Sequence, residues 1–264
     1  MTPDTPNLAR AGGGLALAAA TLCSAAAPAF AGEAFARQRF GEMSAYLGGQ
    51  EAFSFDYDAS LDVVTDQGQI LTIASSGAVA MQRPDRITAT RDGGFASVAF
   101  NFDGTSLTVM NRDENVYAKA DMPGSVVHLI DELRDTYKRP LPAADLLLPD
   151  VQGALEPLFT DVKDLGSGVI GGVECDHLAF RTEGADMQVW IAQGDDPYPC
   201  RYSISNTAVD GGPHYVLDVE GWTTGPDAAP AAALEIPADA REVGPNEVPD
   251  LDDLAGIYVI EGEN

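Results

Sequence analysis

The sequence predicts an α+β fold in which a curved antiparallel β-sheet carries a helical lid over an apolar inner face. Three observations predict it. Within 52–64, apolar and polar side chains alternate without a break from Phe53 to Val63, the period of a half-buried strand. Short runs of similar character recur before and after the middle of the chain, punctuated by Gly, Pro, Asn and Asp turns. Between the two groups, residues 124–160 switch to helical spacing with proline boundaries.

Taken in order, Ala36, Phe40, Met43 and Leu47 fall on one face of a helix over 33–47, stopped by Gly48-Gly49. In 52–64, Phe53, Phe55, Tyr57, Ala59, Leu61 and Val63 face one way; Ser54, Asp56, Asp58, Ser60 and Asp62 face the other. The turn at Asp66-Gln67-Gly68 leads to a strand over 69–82, and strands follow at 86–91, 95–102, 105–110 and 115–120. Val126, Leu129, Ile130, Leu133 and Tyr137 mark a helix that Lys138-Arg139-Pro140 ends. Pro142–Pro149 carries Leu146-Leu147-Leu148, and 151–159 reads as a short apolar helix. Strands resume at 162–169, 173–181, 186–193, 200–206 and 214–222, with a late one near Leu234-Glu235-Ile236. Pro237–Asn264 is rich in Pro, Asp and Glu and reads as a loosely held tail, with Ile257–Ile260 as one further candidate strand. The expected organisation is a signal segment over 1–31, one domain over 32–240 with a helical insertion at about 124–160, and an acidic tail over 241–264.

The start of the chain predicts export. Arg10 precedes an uncharged stretch from Ala11 to Ala29, followed by Ala29-Phe30-Ala31; a basic start, an apolar middle and small residues at −3 and −1 form a cleavable signal. Cleavage is expected after Ala31, or after Ala29. Leu22 before Cys23 favours a free product over a lipidated one. No later segment approaches a membrane-spanning length. The chain carries a net charge of −26, unchanged by cleavage because residues 1–31 hold one acid, Asp4, and one base, Arg10. Such charge excludes nucleic acid, which needs Lys and Arg against phosphate, and opposes adhesion to anionic bilayers.

Few residues suggest chemistry. Cys175 and His177 share one strand face, but no second ligand pair for zinc accompanies them, so a packed cysteine and a hydrogen-bonded histidine stand against a Cys/His hydrolase. Asp56, Asp58 and Asp62 alternate along a strand rather than converging from a calcium loop. Gly166-Ser167-Gly168 lacks nucleophile-elbow spacing. No metal, cofactor or catalytic residue is expected. An oxidising compartment favours a disulfide between Cys175 and Cys200. Register opposes it: pairing Phe180 with Met187, Leu178 with Val189 and Val189 with Ile204 puts the cysteines on opposite faces, which only a bulge or a strand ending could reconcile. Both alternatives stay open.

Two stretches carry a family resemblance. Gly77 to Ile87, ending in Arg83-Pro84-Asp85-Arg86-Ile87, then Phe102-Asp103-Gly104 with Leu107, resembles the periplasmic outer-membrane lipoprotein carrier superfamily (LolA and LolB). Gly171–Arg181 and Val189–Pro199 are similar to a related bacterial family of predicted periplasmic proteins. The resemblance spans about residues 33–240 and implies an unclosed antiparallel β half-barrel with a helical lid over an apolar concave face. It also implies that Arg83 latches the lid through helix carbonyls. Ala80 and Ile87 stand where the carriers have aromatic residues.

The expected function is therefore a non-enzymatic periplasmic binding protein, a monomer, for a hydrophobic small molecule, lipid or lipoprotein acyl chain. Phe53, Phe55, Leu129, Leu133, Leu146 and Leu147 are the candidate lining residues and Arg83 the latch. The alternative is an envelope interaction module whose concave face is filled by its own side chains.

Overall fold

A computed structural model describes residues 29–251 except 66, 209–212 and 250; the predicted signal up to residue 28 and the candidate strand at 257–260 lie outside the described residues. Helix α1 (Ala29–Gly49) precedes six strands, β1 (Ala52–Val64), β2 (Ile70–Gln82), β3 (Arg86–Gly93), β4 (Ser97–Phe102), β5 (Ser106–Asn111) and β6 (Val116–Asp121). The middle holds α2 (Val126–Asp135), a 3-10 turn at Ala144–Leu147 and α3 (Val151–Leu155). Strands β7 (Asp161–Ile170), β8 (Val173–Arg181), β9 (Ala185–Ala192), β10 (Pro199–Asn206) and β11 (His214–Thr224) follow, then a short β12 (Arg241–Glu242).

All twelve strands form one sheet in the order β12-β6-β5-β4-β3-β2-β1-β11-β10-β9-β8-β7. Its two ends do not pair with each other, so the barrel stays open. Each group of strands is a meander, and the pairing of β1 with β11 joins the groups. Every pairing is antiparallel except that of β12 with β6, so the sheet is mixed at that edge. The strand expected near Leu234–Ile236 is not formed. Pro230 and Pro237 bracket that segment, and proline cannot donate to a ladder; the added edge strand comes at Arg241–Glu242 instead.

The helices cover one face. Phe40, Met43 and Leu47 of α1 pack on Leu178, Phe180, Met187, Val189 and Tyr202 of β8–β10. Val126, Leu129 and Ile130 of α2 pack on Phe53, Met81, Ile87, Phe102 and Leu107 of β1–β5. Ser125 starts α2 by accepting a hydrogen bond from the His128 amide. Leu148 and Trp222 touch both clusters, so one contiguous core spans the two groups of strands. Crowding at Gly77 shows how close the neighbouring strands come: a Cβ there would lie 1.9 Å from the Thr90 carbonyl oxygen, and only glycine fits.

Candidate functional site

The lid and the sheet enclose a small pocket lined by Leu47, Phe53, Phe55, Leu146, Leu147, Pro199, Val219 and Trp222, with about 230 Å³ of empty space including its open mouth. Four predicted lining residues meet there. Phe53 and Phe55 come from β1, where strict alternation turns both toward the lid. Leu146 and Leu147 come from the 3-10 turn, which folds back because prolines on either side forbid a continuous helix. Leu129 and Leu133 pack beneath α2 in the adjoining cluster and do not line the pocket.

Arg83 lies beside this pocket. Its guanidinium donates to the carbonyl oxygens of Leu147 at 3.0 Å, Leu148 at 3.3 Å and Leu47 at 3.3 Å. One side chain thus ties the 3-10 turn and the end of α1 to the β2–β3 turn. The planar fork suits this task. The guanidinium also lies 5.8 Å from the Phe53 ring centre, its Nε has no partner, and burial draws its pKa below the ordinary value. The chain between α2 and the turn bends sharply, with positive φ of 56° at both Lys138 and Ala143, a conformation that non-glycine residues rarely adopt.

Sequence reasoning missed Trp222. Alternation along β11 assigns Trp222 to the same face as Asp218 and Glu220. Gly221, at φ 61°, sits in a bulge where the β1–β11 register shifts between Ser54 and Asp56. The extra residue turns Trp222 inward, where it stacks on Phe53, Phe55 and Tyr198 at 5.1, 5.7 and 5.4 Å. Its indole N–H donates to the Tyr46 hydroxyl at 3.2 Å. A glycine breaking the alternation just before a tryptophan is the one signal that points to it.

Cys175 and Cys200 form a disulfide. The β8–β9 pairs stand as expected, while Val189 opposes Tyr202 rather than Ile204, a two-residue slip that keeps the faces. The register then shifts between Pro199 and Arg201, so Cys200 is the extra residue of a bulge and leaves the Leu178 face for Cys175. With its sulfur in that bond, Cys175 is no thiolate nucleophile. His177 Nε2–H donates to Gln188 Oε1 at 2.8 Å, and the ring stacks on Trp190.

On the opposite, convex face Ser203 lies 3.0 Å from His214 Nε2, and His214 Nδ1 lies 3.9 Å from Asp62. The order of groups resembles a hydrolytic triad. Ser203 is only 3% exposed, the His–Asp separation exceeds a hydrogen bond, and Ser203 sits mid-strand between paired neighbours on β9 and β11. Among the described residues no group of three or more His, Cys, Asp or Glu could hold a metal ion, and no helix is long and apolar enough to cross a membrane.

The model of DUF2092, a family of predicted periplasmic proteins, matches residues 36–244. No curated protein matches the sequence. Solved structures with a similar chain path include LprF from Mycobacterium bovis, at 11% identity and TM-score 0.45, covering 79% of this chain and 99% of that one. The Mycobacterium tuberculosis lipoprotein LppX is similar at 15% identity and TM-score 0.44, covering 74% and 99%. A LolA superfamily protein from Nitrosomonas europaea is similar at 10% identity and TM-score 0.30, covering 73% and 95%. Likenesses this weak carry no argument of their own.

Proposed function

The chain belongs to the DUF2092 family of predicted periplasmic proteins, and from that premise we propose that it is a non-enzymatic carrier or sensor of a hydrophobic ligand, a lipid or the acyl chains of a lipoprotein. The observation that supports this reading most is the pocket itself. Eight apolar residues from α1, β1, the 3-10 turn, β10 and β11 converge under a lid that Arg83 ties down through three carbonyl oxygens. Transfer of an alkyl chain to such a surface yields about 0.8 kcal/mol per methylene.

The about 230 Å³ counts the open mouth as well as the space under the lid, so the enclosed room is far smaller than an ordinary ligand site. The conformation is therefore a closed one, and loading requires the segment 136–149 to swing away on the bends at Lys138 and Ala143. Arg83 acts as the latch of that motion. The same small volume favours a second reading, an envelope interaction module whose concave face is filled by Trp222, Phe53 and Phe55.

One experiment separates the two. Trp190→Phe leaves Trp222 as the sole tryptophan, because the chain has two. Titration with the uncharged probe N-phenyl-1-naphthylamine should then quench Trp222 saturably, and native mass spectrometry of protein purified from the envelope should show bound lipid. Absence of both signals sinks the carrier reading and leaves the interaction module.

A further inference from the structure

The two walls of the pocket differ in kind. On the sheet side the rings are nearly parallel. Phe53 and Phe55 stand on β1 with 12° between their planes, Trp222 lies at 19° to the first and 17° to the second, and Tyr198 at 3° to Trp222. Their centroids are 5.1–6.4 Å apart. The facing wall is aliphatic, made by Leu47 of α1 and by Leu146 and Leu147 of the 3-10 turn.

Contacts hold the ring planes in place. The Trp222 indole N–H donates to the Tyr46 hydroxyl at 3.2 Å. Phe53 is buried and packs against the Arg83 guanidinium. Tyr198 is braced by the cluster around Cys175 and Cys200. Phe55, Trp222 and Tyr198 are nonetheless only half-buried, so the wall keeps ring surface beyond what the rings give one another. The sole polar group among the eight lining residues is that indole N–H, which Tyr46 takes. Whatever part of a ligand enters must therefore be uncharged.

Lid movement leaves this wall intact. Swinging the segment 136–149 away removes Leu146 and Leu147, but Phe53, Phe55 and Trp222 stand on β1 and β11, which are paired on either side of the bulge. Parallel rings favour a flat π-system, because offset stacking adds to plain burial. A saturated chain or a puckered ring gains burial alone.

We propose that the pocket selects a flat, uncharged, unsaturated ring over a saturated acyl chain, with Trp222 and Phe55 as the selecting residues. The proposal rests on the reading of the pocket as a hydrophobic ligand site and narrows the class of ligand that it takes.

Equilibrium dialysis of the full chain against 2-naphthol and decahydro-2-naphthol tests it. The two probes share a skeleton and a hydroxyl and differ in flatness and unsaturation. 2-Naphthol should bind about three- to tenfold more tightly, the margin that one added ring pair supplies. Trp222→Leu should erase that margin; leucine keeps the site filled, so the comparison reads stacking rather than cavity size. Phe55→Leu, at a half-buried position, should reduce the margin with less risk to folding. Equal affinity for the two probes, or a margin that survives both substitutions, overturns the proposal and leaves the carrier reading standing. Binding of neither probe defeats the carrier reading, and the proposal with it.

Discussion

The indole of Trp222 lies nearly parallel to the ring of Phe53, with 5.1 Å between centroids and 19° between planes. Phe53 belongs to the cluster under α2, and Trp222 touches that cluster and the one under α1. Tyr198 stacks on Trp222 with 3° between planes. These rings bridge the two groups of strands where β1 meets β11, and they fill space that an alkyl chain would need. Core continuity and ligand capacity therefore compete for one side chain.

Trp222→Ala should accordingly destabilise the fold and enlarge the pocket at once. Removing a large aromatic side chain from a packed site costs about 3 kcal/mol, readable as a lowered urea midpoint. Probe uptake should rise in the folded variant. If uptake stays at the wild-type level despite the cavity, the pocket is not on the ligand's path.

Arg83→Ala should free the lid more than it weakens the sheet. Three hydrogen bonds to carbonyl oxygens are lost, offset in part because a buried guanidinium is no longer desolvated. The net loss should be about 1–3 kcal/mol. Amide exchange should quicken across 141–149 and stay unchanged in the β8–β9 hairpin. Arg83→Lys should restore only part of the protection, because an ammonium cannot present the same fork to three oxygens. Uniform acceleration throughout the chain would show that Arg83 supports the whole fold rather than the lid.

These two residues also mark how far the sequence could be read. The sheet was legible because β1 alternates from Phe53 to Val63, and α1 and α2 because their apolar residues recur at helical spacing. Phe53 and Phe55 stand out from that alternation, Leu146 and Leu147 from an apolar run between prolines, and Arg83 from the resemblance carried by its Arg-Pro pair; that they hold a ligand is the proposal, not the reading of the fold. What alternation cannot show is where it breaks. The bulge at Gly221 moves Trp222 to the concave face, and the bulge at Cys200 lets the disulfide form across a register that otherwise forbids it. Each bulge depends on a partner strand distant in sequence. Leu129 and Leu133 lie on the apolar face of α2, in the cluster next to the pocket, and the helical period carries no signal for which residues of such a face border a pocket and which the core.

Replacing both cysteines, Cys175→Ala with Cys200→Ala, should cost about 3 kcal/mol. The bond closes a loop with a sequence separation of 25, and cross-links of that span restrict the unfolded chain by roughly this amount. Thermal unfolding with and without reductant checks it: the reductant should lower the midpoint of the wild type alone. Pro199 beside Cys200 lines the pocket, and Tyr198 packs on both the disulfide and Trp222, so probe affinity of the folded double variant should fall below the wild type.

Asp145 gives the lid a dependence on pH. It sits in the 3-10 turn between Ala144 and Leu146, where burial raises its carboxyl pKa and the Arg134 charge pulls the other way. Tyr202 beneath feels both burial and the Asp145 charge, and its phenol is raised too. A carboxyl raised in the folded state binds its proton more tightly there than in the unfolded chain. Its contribution to stability therefore grows as pH falls from the raised folded value to the ordinary one of about 3.9, opposite in sign to a salt-bridged aspartate. At neutral pH the buried charge opposes lid closure. Asp145→Asn should raise the melting temperature at pH 7 by a few degrees and slow amide exchange in 144–148, and the gain should vanish below the ordinary carboxyl range. A gain that persists at low pH would mean that the asparagine makes a new hydrogen bond, and that the carboxylate charge is not what loosens the turn.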